Sequence, residues 1–309
     1  MKGTFVKKIA LLVALLLASP ALAQTPITAP TTFYLHGSAG AAGTDAVGCG
    51  TSPSNACNTC NFLYGQLKTN YQLQPGGSIM IQLSGNTHSD GCALAGAMPG
   101  QSFPRQIEII GSMSSPASFE MSNPSGDVMS AAFGAKFAMG GMMLQHNASG
   151  QGVITCGFGG DIQLLGEIVS LGDSSSTPQE FNDLSAADGC LIEFQTPDAT
   201  ADAFGVKADG NYTFDGPGQC AFDSGNLGMI QANGNGQPNF FTFHWNGQTY
   251  TLATACANAG GLVQIQNVTH VGTVNSAQQH IVTCGIIDTA GTGFPHTSAG
   301  TTPACPLFN

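Results

Sequence analysis

Positive charge is scarce in this sequence. Its 309 residues include 7 Lys and Arg against 18 Asp and Glu, and Lys2, Lys7 and Lys8 all lie at the extreme N-terminus. A chain with so few cations repels the phosphates of nucleic acids and anionic membrane surfaces. We therefore expect neither nucleic acid partners nor membrane insertion.

Long apolar runs are also missing. The run at residues 9–17 is too short to span a bilayer. It follows the lysines and precedes Ala21-Leu22-Ala23, which is the arrangement of a secretory signal peptide. The sequence predicts cleavage near Ala23, so that residues 1–23 are the signal peptide and residues 24–309 a secreted domain, extracellular or periplasmic. Loss of the three leader lysines changes the formal net charge from −11 to −14.

Several catalytic and metal motifs are absent. There is no Gly-x-Ser-x-Gly, P-loop or dinucleotide-binding fingerprint, and no two histidines stand at metal-ligand spacing. Cys57 and Cys60 form a CxxC without a second pair to complete a zinc set, so a structural disulfide with Cys49 or Cys92 is the favoured interpretation. No cofactor is predicted to be required.

Cysteine, by contrast, is plentiful and confined to the exported part. Ten cysteines are an even number, which in an oxidising compartment favours disulfides. From Cys156 onward they recur at intervals of roughly one structural repeat, so stacked, buried free thiols are an equal alternative. The ten are Cys49, Cys57, Cys60, Cys92, Cys156, Cys190, Cys220, Cys256, Cys284 and Cys305.

A short phrase recurs through the second half of the chain. Glycine followed by two or three aliphatic residues begins at Gly152, Gly189, Gly228, Gly261 and Gly285. Such spacing is typical of a coil that adds one rung per turn, because each short strand buries itself only by stacking on its neighbours. The pattern predicts an all-β parallel solenoid.

The remaining elements fit this plan. We predict an opening strand at 31–36, a short capping helix at 58–67, strands at 78–83 and 106–111, interior Met-rich rungs at 117–149 and a hairpin-like turn at Asn246-Gly247. The N-terminal cap is placed at about 31–75, the rungs at about 76–291 and a C-terminal tail at 292–309.

The order of these features resembles a known family. Four segments in this order look like the N-terminal cap of pectate-lyase-like right-handed parallel β-helix proteins. They are the strand Phe33-Tyr34-Leu35, the helix start Cys57-x-Thr59-x3-Leu63, and residues 77–83 and 107–111. The segments 260–263, 271–272 and 284–291 are similar to the terminal rungs of uncharacterised bacterial and prophage-associated members. The resemblance implies a right-handed parallel β-helix with a short N-terminal capping helix.

The resemblance also implies an extracellular polysaccharide or cell-surface glycan as the partner. If the protein is an enzyme, it implies a polysaccharide lyase or a glycoside hydrolase. Lyases of this fold need a basic residue beside calcium-binding carboxylates, and beyond residue 100 only Arg105, Lys136 and Lys207 are strong bases. We expect a protein that binds such a glycan, with cleavage left open. The alternative is a non-catalytic structural, adhesive or phage-related surface module.

Candidate ligand-binding residues come from the most acidic stretch and the aromatic strand after it. Carboxylates here suit an acid–base pair or oxygen ligands for Ca²⁺, with Asp198 and Asp202 the calcium candidates. The alternative is that these acids stabilise turns. Trp245 ends an aromatic strand and is the better surface candidate to stack on a sugar ring, with burial in the core as the alternative because Trp is often largely buried. The set is Asp198, Asp202, Asp209, Asp215, Asp223 and Trp245.

Overall fold

The computed structural model is almost entirely parallel β-structure. It describes residues 24–36, 43–84, 88–124, 126–146, 152–173, 182–196, 203–215, 217–233, 241–290, 293–295 and 300. The predicted signal peptide lies outside these residues, as does nearly all of the predicted C-terminal tail.

The elements of the first half are β1 (Thr25–Ile27), β2 (Pro30–His36), α1 (Cys60–Asn70), β3 (Tyr71–Leu73), β4 (Ser78–Ser84), β5 (Cys92–Ala95), β6 (Ile107–Ile110), β7 (Glu120–Asn123), β8 (Met129–Ala132), β9 (Lys136–Gly140), β10 (Met142–His146) and β11 (Ile154–Cys156). Those of the second half are β12 (Asp161–Leu164), β13 (Ile168–Asp173), β14 (Asn182–Ala186), β15 (Leu191–Phe194), β16 (Asn211–Phe214), β17 (Gly218–Ser224), β18 (Met229–Asn233), β19 (Phe241–Asn258), β20 (Leu262–Gln266), β21 (Val268–Thr283) and β22 (Ile286–Asp288).

The strands stack in two large sheets. The nine-stranded sheet has the order β2-β4-β6-β9-β12-β15-β18-β20-β22, and every pair in it is parallel. The eleven-stranded sheet has two branches, β5-β8-β11-β14-β17 and β7-β10-β13-β16, which meet at β19, and β21 pairs with β19. The chain therefore visits the same sheets once per turn, and the prediction of an all-β, solenoid-like fold is confirmed.

Alternate side chains of each strand point into the coil and form ladders. In the nine-stranded sheet, Phe137, Ile162, Ile192, Ile230 and Val263 are register partners. All five are fully buried. Because neighbouring strands lie about 4.8 Å apart, each aliphatic side chain is covered by those of the adjacent rungs.

Close approach of successive turns explains some of the repeated glycines. A Cβ on Gly228 would lie 2.3 Å from the carbonyl oxygen of Ala186, and one on Gly261 would lie 2.2 Å from that of Ser224. Both distances are far below van der Waals contact. Gly228 and Gly261 therefore mark points where one rung crosses the backbone of the rung before it, whereas a Cβ on Gly189 would meet nothing within 4 Å.

The N-terminal end of the coil is closed by α1, as predicted. Thr59 is its N-cap, with its Oγ1 accepting from the backbone N–H of Phe62 at 3.3 Å. Leu63 and Leu67, one turn apart, are both buried against the first rungs. The helix thus covers apolar side chains that the first rung leaves without a neighbour.

Disulfides join segments along the coil. Cys57 and Cys60 of the CxxC bond to Cys49 and Cys92, respectively. This confirms the predicted structural role of the CxxC. The free-thiol alternative is wrong for the later cysteines, since the structure pairs Cys156 with Cys190 and Cys220 with Cys256, and Cys284 is also disulfide-bonded.

One predicted turn is wrong. Asn246 and Gly247 lie inside β19, which runs without reversal from Phe241 to Asn258. Gly247 has a φ of 77°, and the pairing with β21 shifts register between Asn246 and Thr249. The dipeptide makes a bulge in a long strand, because tertiary pairing on both flanks holds the chain extended.

Candidate functional site

The outer face of the nine-stranded sheet carries a row of polar side chains. Register pairing aligns one residue from each of five successive strands, and all five are partly exposed. We call this set the polar row: Gln163, Glu193, Gln231, Gln264 and Asp288.

Two carboxylates in the row are each held by two glutamine amides. Gln163 Nε2 donates to Glu193 Oε2 at 3.0 Å, and Gln195 Nε2 donates to the same oxygen at 2.8 Å. Gln264 Nε2 and Gln266 Nε2 both donate to Asp288 Oδ2.

A glutamine amide has two N–H donors and a carbonyl acceptor. Each of these bonds uses one N–H donor of its amide. The backbone N–H of Ala290 and the two amides hold the pKa of Asp288 below its usual range. The result is a fixed array of acceptors and donors along the face.

An apolar stripe runs beside the polar row, two residues earlier on each strand. Leu191, Met229 and Leu262 are register partners there and are partly exposed. Asp161 is the register partner of Leu191 on β12, and burial raises its pKa, which the charge of Lys136 only partly opposes. A surface with parallel apolar and hydrogen-bonding stripes matches a ligand that has both C–H faces and hydroxyl groups.

The corner that leads into this sheet exposes bulky apolar residues in an unfavourable backbone conformation. Phe133, Phe158 and Leu227 have φ values of 53°, 49° and 64°. Their exposed fractions are 67%, 58% and 74%. Positive φ is a genuine outlier for bulky residues, which glycine or asparagine would adopt more easily. We call these three residues the apolar corner.

The two phenylalanines of the apolar corner stack on each other. Their ring centroids are 5.0 Å apart and their planes differ by 6°. The backbone N–H of Gly134 donates to the carbonyl of Phe158 at 3.2 Å, which fixes the two turns relative to each other. Strained, exposed side chains of this kind cluster at binding sites, since folding alone does not favour them.

A strap covers the N-terminal part of the same face. Phe204 and Val206, in the strap at residues 203–208, pack on an outward-facing apolar cluster that includes Met80 and Ile110. Arg105 donates to the carbonyl of Val206 at 3.0 Å. The polar row lies beyond this cluster, on β12 and the strands that follow.

At the far corner of the sheet two carboxyl groups meet. Glu167, after β12, forms a side-chain hydrogen bond with Asp209, which precedes β16. Burial raises the pKa of Glu167 to about 7, with further contributions from the hydrogen bond and charge of Asp209. A carboxyl group in such contact is harder to ionise, because the charge of its neighbour disfavours a second negative charge.

The structure separates the aspartates named by the sequence. Asp209 pairs with Glu167 and accepts from the backbone N–H of Asn211, whereas Asp223 lies in β17 and accepts from Asn182 Nδ2 at 3.0 Å. Burial raises the pKa of Asp223. Asp215 follows β16. Among the described residues, the predicted acidic cluster is therefore not one group of side chains.

Asp198 and Asp202, the calcium candidates, lie outside the described residues. Within them, Asp45, Cys49 and Cys57 place ligand-type atoms close together. The two cysteines are bonded to each other. Asp45 accepts hydrogen bonds from the backbone and side chain of Thr59. This group stabilises the cap.

Trp245 is not at the surface, so that prediction is wrong. Its exposed fraction is 2%, its ring stacks on Phe214 with centroids 4.7 Å apart, and Nε1 donates to His270 Nδ1 at 3.1 Å. Burial lowers the pKa of His270 to about 4, so the acceptor nitrogen stays available near neutral pH. Because Asn246-Gly247 does not reverse the chain, Trp245 keeps the inward alternation of Phe241 and Phe243.

The apolar corner was missed from the sequence. Its signal was Phe-Gly before a strand, which occurs at Phe133-Gly134 and again at Phe158-Gly159. The polar row had a weaker signal, an isolated Gln or Glu within short aliphatic strands.

A scan against protein-family models and searches of curated proteins and solved structures find no match to this chain. Across the described ranges, the helices all fall short of the length and apolarity that crossing a membrane requires.

Proposed function

We propose that this is a secreted protein that binds an extended, neutral glycan of an extracellular polysaccharide or cell surface. The observation that carries the proposal is the apolar corner, where Phe133 and Phe158 keep exposed rings at positive φ beside the polar row. Aromatic rings pack on the C–H faces of sugars, and planar amide and carboxylate groups hydrogen-bond to sugar hydroxyls.

Charge supports a neutral ligand. The formal net charge is −11, and Glu193 and Asp288 lie in the polar row itself. Such a surface repels polyuronates and phosphorylated polymers. The disulfides belong to an oxidising compartment, in agreement with secretion after a signal peptide that ends near Ala23.

Binding without cleavage is the function we favour. Glycosidases place their two carboxyl groups roughly 5 to 9.5 Å apart. Glu167 and Asp209 are closer than that, in direct hydrogen-bond contact. Two carboxyl groups in contact suit a cation site or a structural role. The protein would then act as an adhesive or surface module that holds a glycan. This role combines glycan binding with the non-catalytic surface module, the two functions considered from the sequence.

We also infer that the coil is a right-handed parallel β-helix of the pectate-lyase-like kind. Each turn returns to the next parallel strand of the same sheet. Connections of that type are right-handed in about 98% of cases, because twisted strands pack back onto the sheet only in that sense.

The test uses binding to immobilised neutral and acidic polysaccharides, with a depolymerisation assay alongside. The double variant Phe133→Asn/Phe158→Asn should weaken binding to neutral polymers about 5- to 150-fold, from the loss of about 1–3 kcal/mol of stacking. Its melting temperature should hold or rise, since asparagine tolerates positive φ.

Val47→Asn is the matched control, since Val47 is 91% exposed and lies in the N-terminal cap. It should leave binding unchanged. Equal affinity of the double variant and the native protein, or no binding to any neutral polymer, would refute the proposal.

A further inference from the structure

A second concave site lies at the N-terminal end of the coil. It is a cleft with a volume of ≈ 550 Å³, between the turn before β4 and the segment that leads into β6. Its lining includes Pro75, Ser78, Ser102, Phe103 and Gln106. Small-molecule sites have volumes of about 300–1,000 Å³, so the cleft is large enough for a ligand.

Ser78 gives the cleft an unused hydrogen-bonding group. Its side chain is 6% exposed, and its Oγ has no hydrogen-bond partner among the described residues. A buried hydroxyl left unpaired costs about 1–3 kcal/mol. A ligand hydroxyl that reaches this oxygen would recover that energy.

The walls of the cleft are held in place by one buried side chain. Gln106 Oε1 accepts from the backbone N–H of Ser102 at 2.6 Å and from that of Phe103 at 3.3 Å. Its Nε2 donates to the carbonyl of Gly77 on the opposite wall at 3.5 Å. The segment that carries Phe103 is thus fixed, and its ring is 54% exposed.

Among the described residues that line the cleft, the one cation is Arg105, and its charge is neutralised. Arg105 Nε donates to Glu108 Oε1 at 3.1 Å, and the guanidinium also donates to Val206 of the strap. An anionic ligand would have to compete with this buried ion pair. The cleft therefore favours a neutral ligand with one ring face for Phe103 and one hydroxyl for Ser78.

We propose that the cleft binds a single neutral sugar residue, the end of a glycan chain. This inference rests on the proposed function for its ligand class. Position supports it: Lys136 Nζ donates to the carbonyl of Ser102, and Gln101 Nε2 donates to that of Lys136. Lys136 follows Phe133 of the apolar corner by three residues. The hydrogen bonds of Lys136 therefore place the cleft next to the apolar corner, on the side toward the N-terminal end of the coil.

The experiment is saturation-transfer NMR and titration calorimetry with free glucose, galactose, mannose and N-acetylglucosamine, and with glucuronic acid as the acidic comparison. At least one neutral sugar should saturate and glucuronic acid should bind at least tenfold more weakly. Ser78→Ala and Phe103→Ala should each weaken binding about tenfold. Ser78→Ala should also keep or raise the melting temperature, because it removes an unpaired buried group.

The control is Phe133→Asn/Phe158→Asn, which should leave monosaccharide binding unchanged. Polymer binding without saturable binding of any neutral monosaccharide would overturn the cleft and leave the proposed function standing. Monosaccharide binding that survives both cleft substitutions would also overturn it. Saturable binding lost in both variants, without polymer binding, would support the cleft and refute the proposed function.

Discussion

Asp183 is a carboxyl group sealed inside the coil, and the pH dependence of stability should reveal it. It lies in β14, is fully buried, and accepts hydrogen bonds from Ser170 Oγ at 2.9 Å and from the Tyr250 hydroxyl. Burial raises the pKa of Asp183 to about 7, and these two hydrogen bonds only partly oppose the effect.

The sign follows from proton binding. Below pH 3.8 both the folded and the unfolded chain hold the proton, and this group adds no pH dependence. Between pH 3.8 and about 7 the unfolded chain releases it while the folded protein keeps it, so stability falls as pH rises. Each pKa unit is worth about 1.4 kcal/mol, so the full loss is about 4 kcal/mol, of which about 3 kcal/mol falls above pH 5.

The variant Asp183→Asn should abolish this loss. An amide resembles the protonated carboxyl group, with one acceptor and one donor side, so the variant should match the native protein near pH 5. At pH 8.5 it should be more stable by up to about 3 kcal/mol. The assay is urea unfolding followed by the fluorescence of the single tryptophan, Trp245, at both pH values.

Asp188→Asn is the control for net charge, because Asp188 lies in an exposed turn at a φ of 53°, where asparagine is tolerated. It should keep the native pH profile. Parallel pH profiles for Asp183→Asn and the native protein would refute the reasoning, because they would mean that the carboxyl group is already ionised in the folded state.

Three further outcomes are expected. Calcium should raise the melting temperature above that in magnesium at equal ionic strength, and Glu167→Gln should remove the difference. Equal melting temperatures in calcium, magnesium and chelator would contradict this prediction. Replacing Cys156 and Cys190 by serine should cost about 3–4 kcal/mol in urea unfolding, because their separation is 34 residues; an unchanged midpoint would count against it. Gly272→Ala should destabilise the folded protein by at least about 2 kcal/mol, since its Cβ would lie 2.0 Å from a carbonyl oxygen of the neighbouring strand. The control is Gly65→Ala in α1, where a Cβ would have open space, and this variant should keep or raise the melting temperature.

The elements that could be predicted are those whose signal is local. Helix α1 has its N-cap at Thr59 and apolar residues one turn apart, and it forms where expected. β4 and β6 are short segments rich in aliphatic residues, and they are strands. In each case the local backbone preference and the burial of the side chains favour the same structure.

The errors come from positions where local and tertiary preferences differ. Asn246-Gly247 has the composition of a hairpin turn, yet the residues before it pair with β16, those after it pair with β17, and both flanks pair with β21, so the chain stays extended. Trp245 changed from an expected surface residue to a core residue as a direct consequence. The hydrogen bond of a hairpin turn stabilises the chain by about 1 kcal/mol, and the several strand-to-strand hydrogen bonds on both flanks of the dipeptide contribute more than that.

The sequence by itself determined that the chain builds repeated short aliphatic strands, because the alternation of buried and exposed side chains is set within each strand. It also determined the even cysteine count and the acidic balance. Only the tertiary structure decided which residues of different rungs share a surface. Gln163, Glu193 and Asp288 lie in one row because register aligns them, and register depends on the lengths of loops that carry no periodic signal. The same stacking placed Glu167 against Asp209 and separated the remaining aspartates, since a shift of one residue in a strand moves a side chain from the surface to the core.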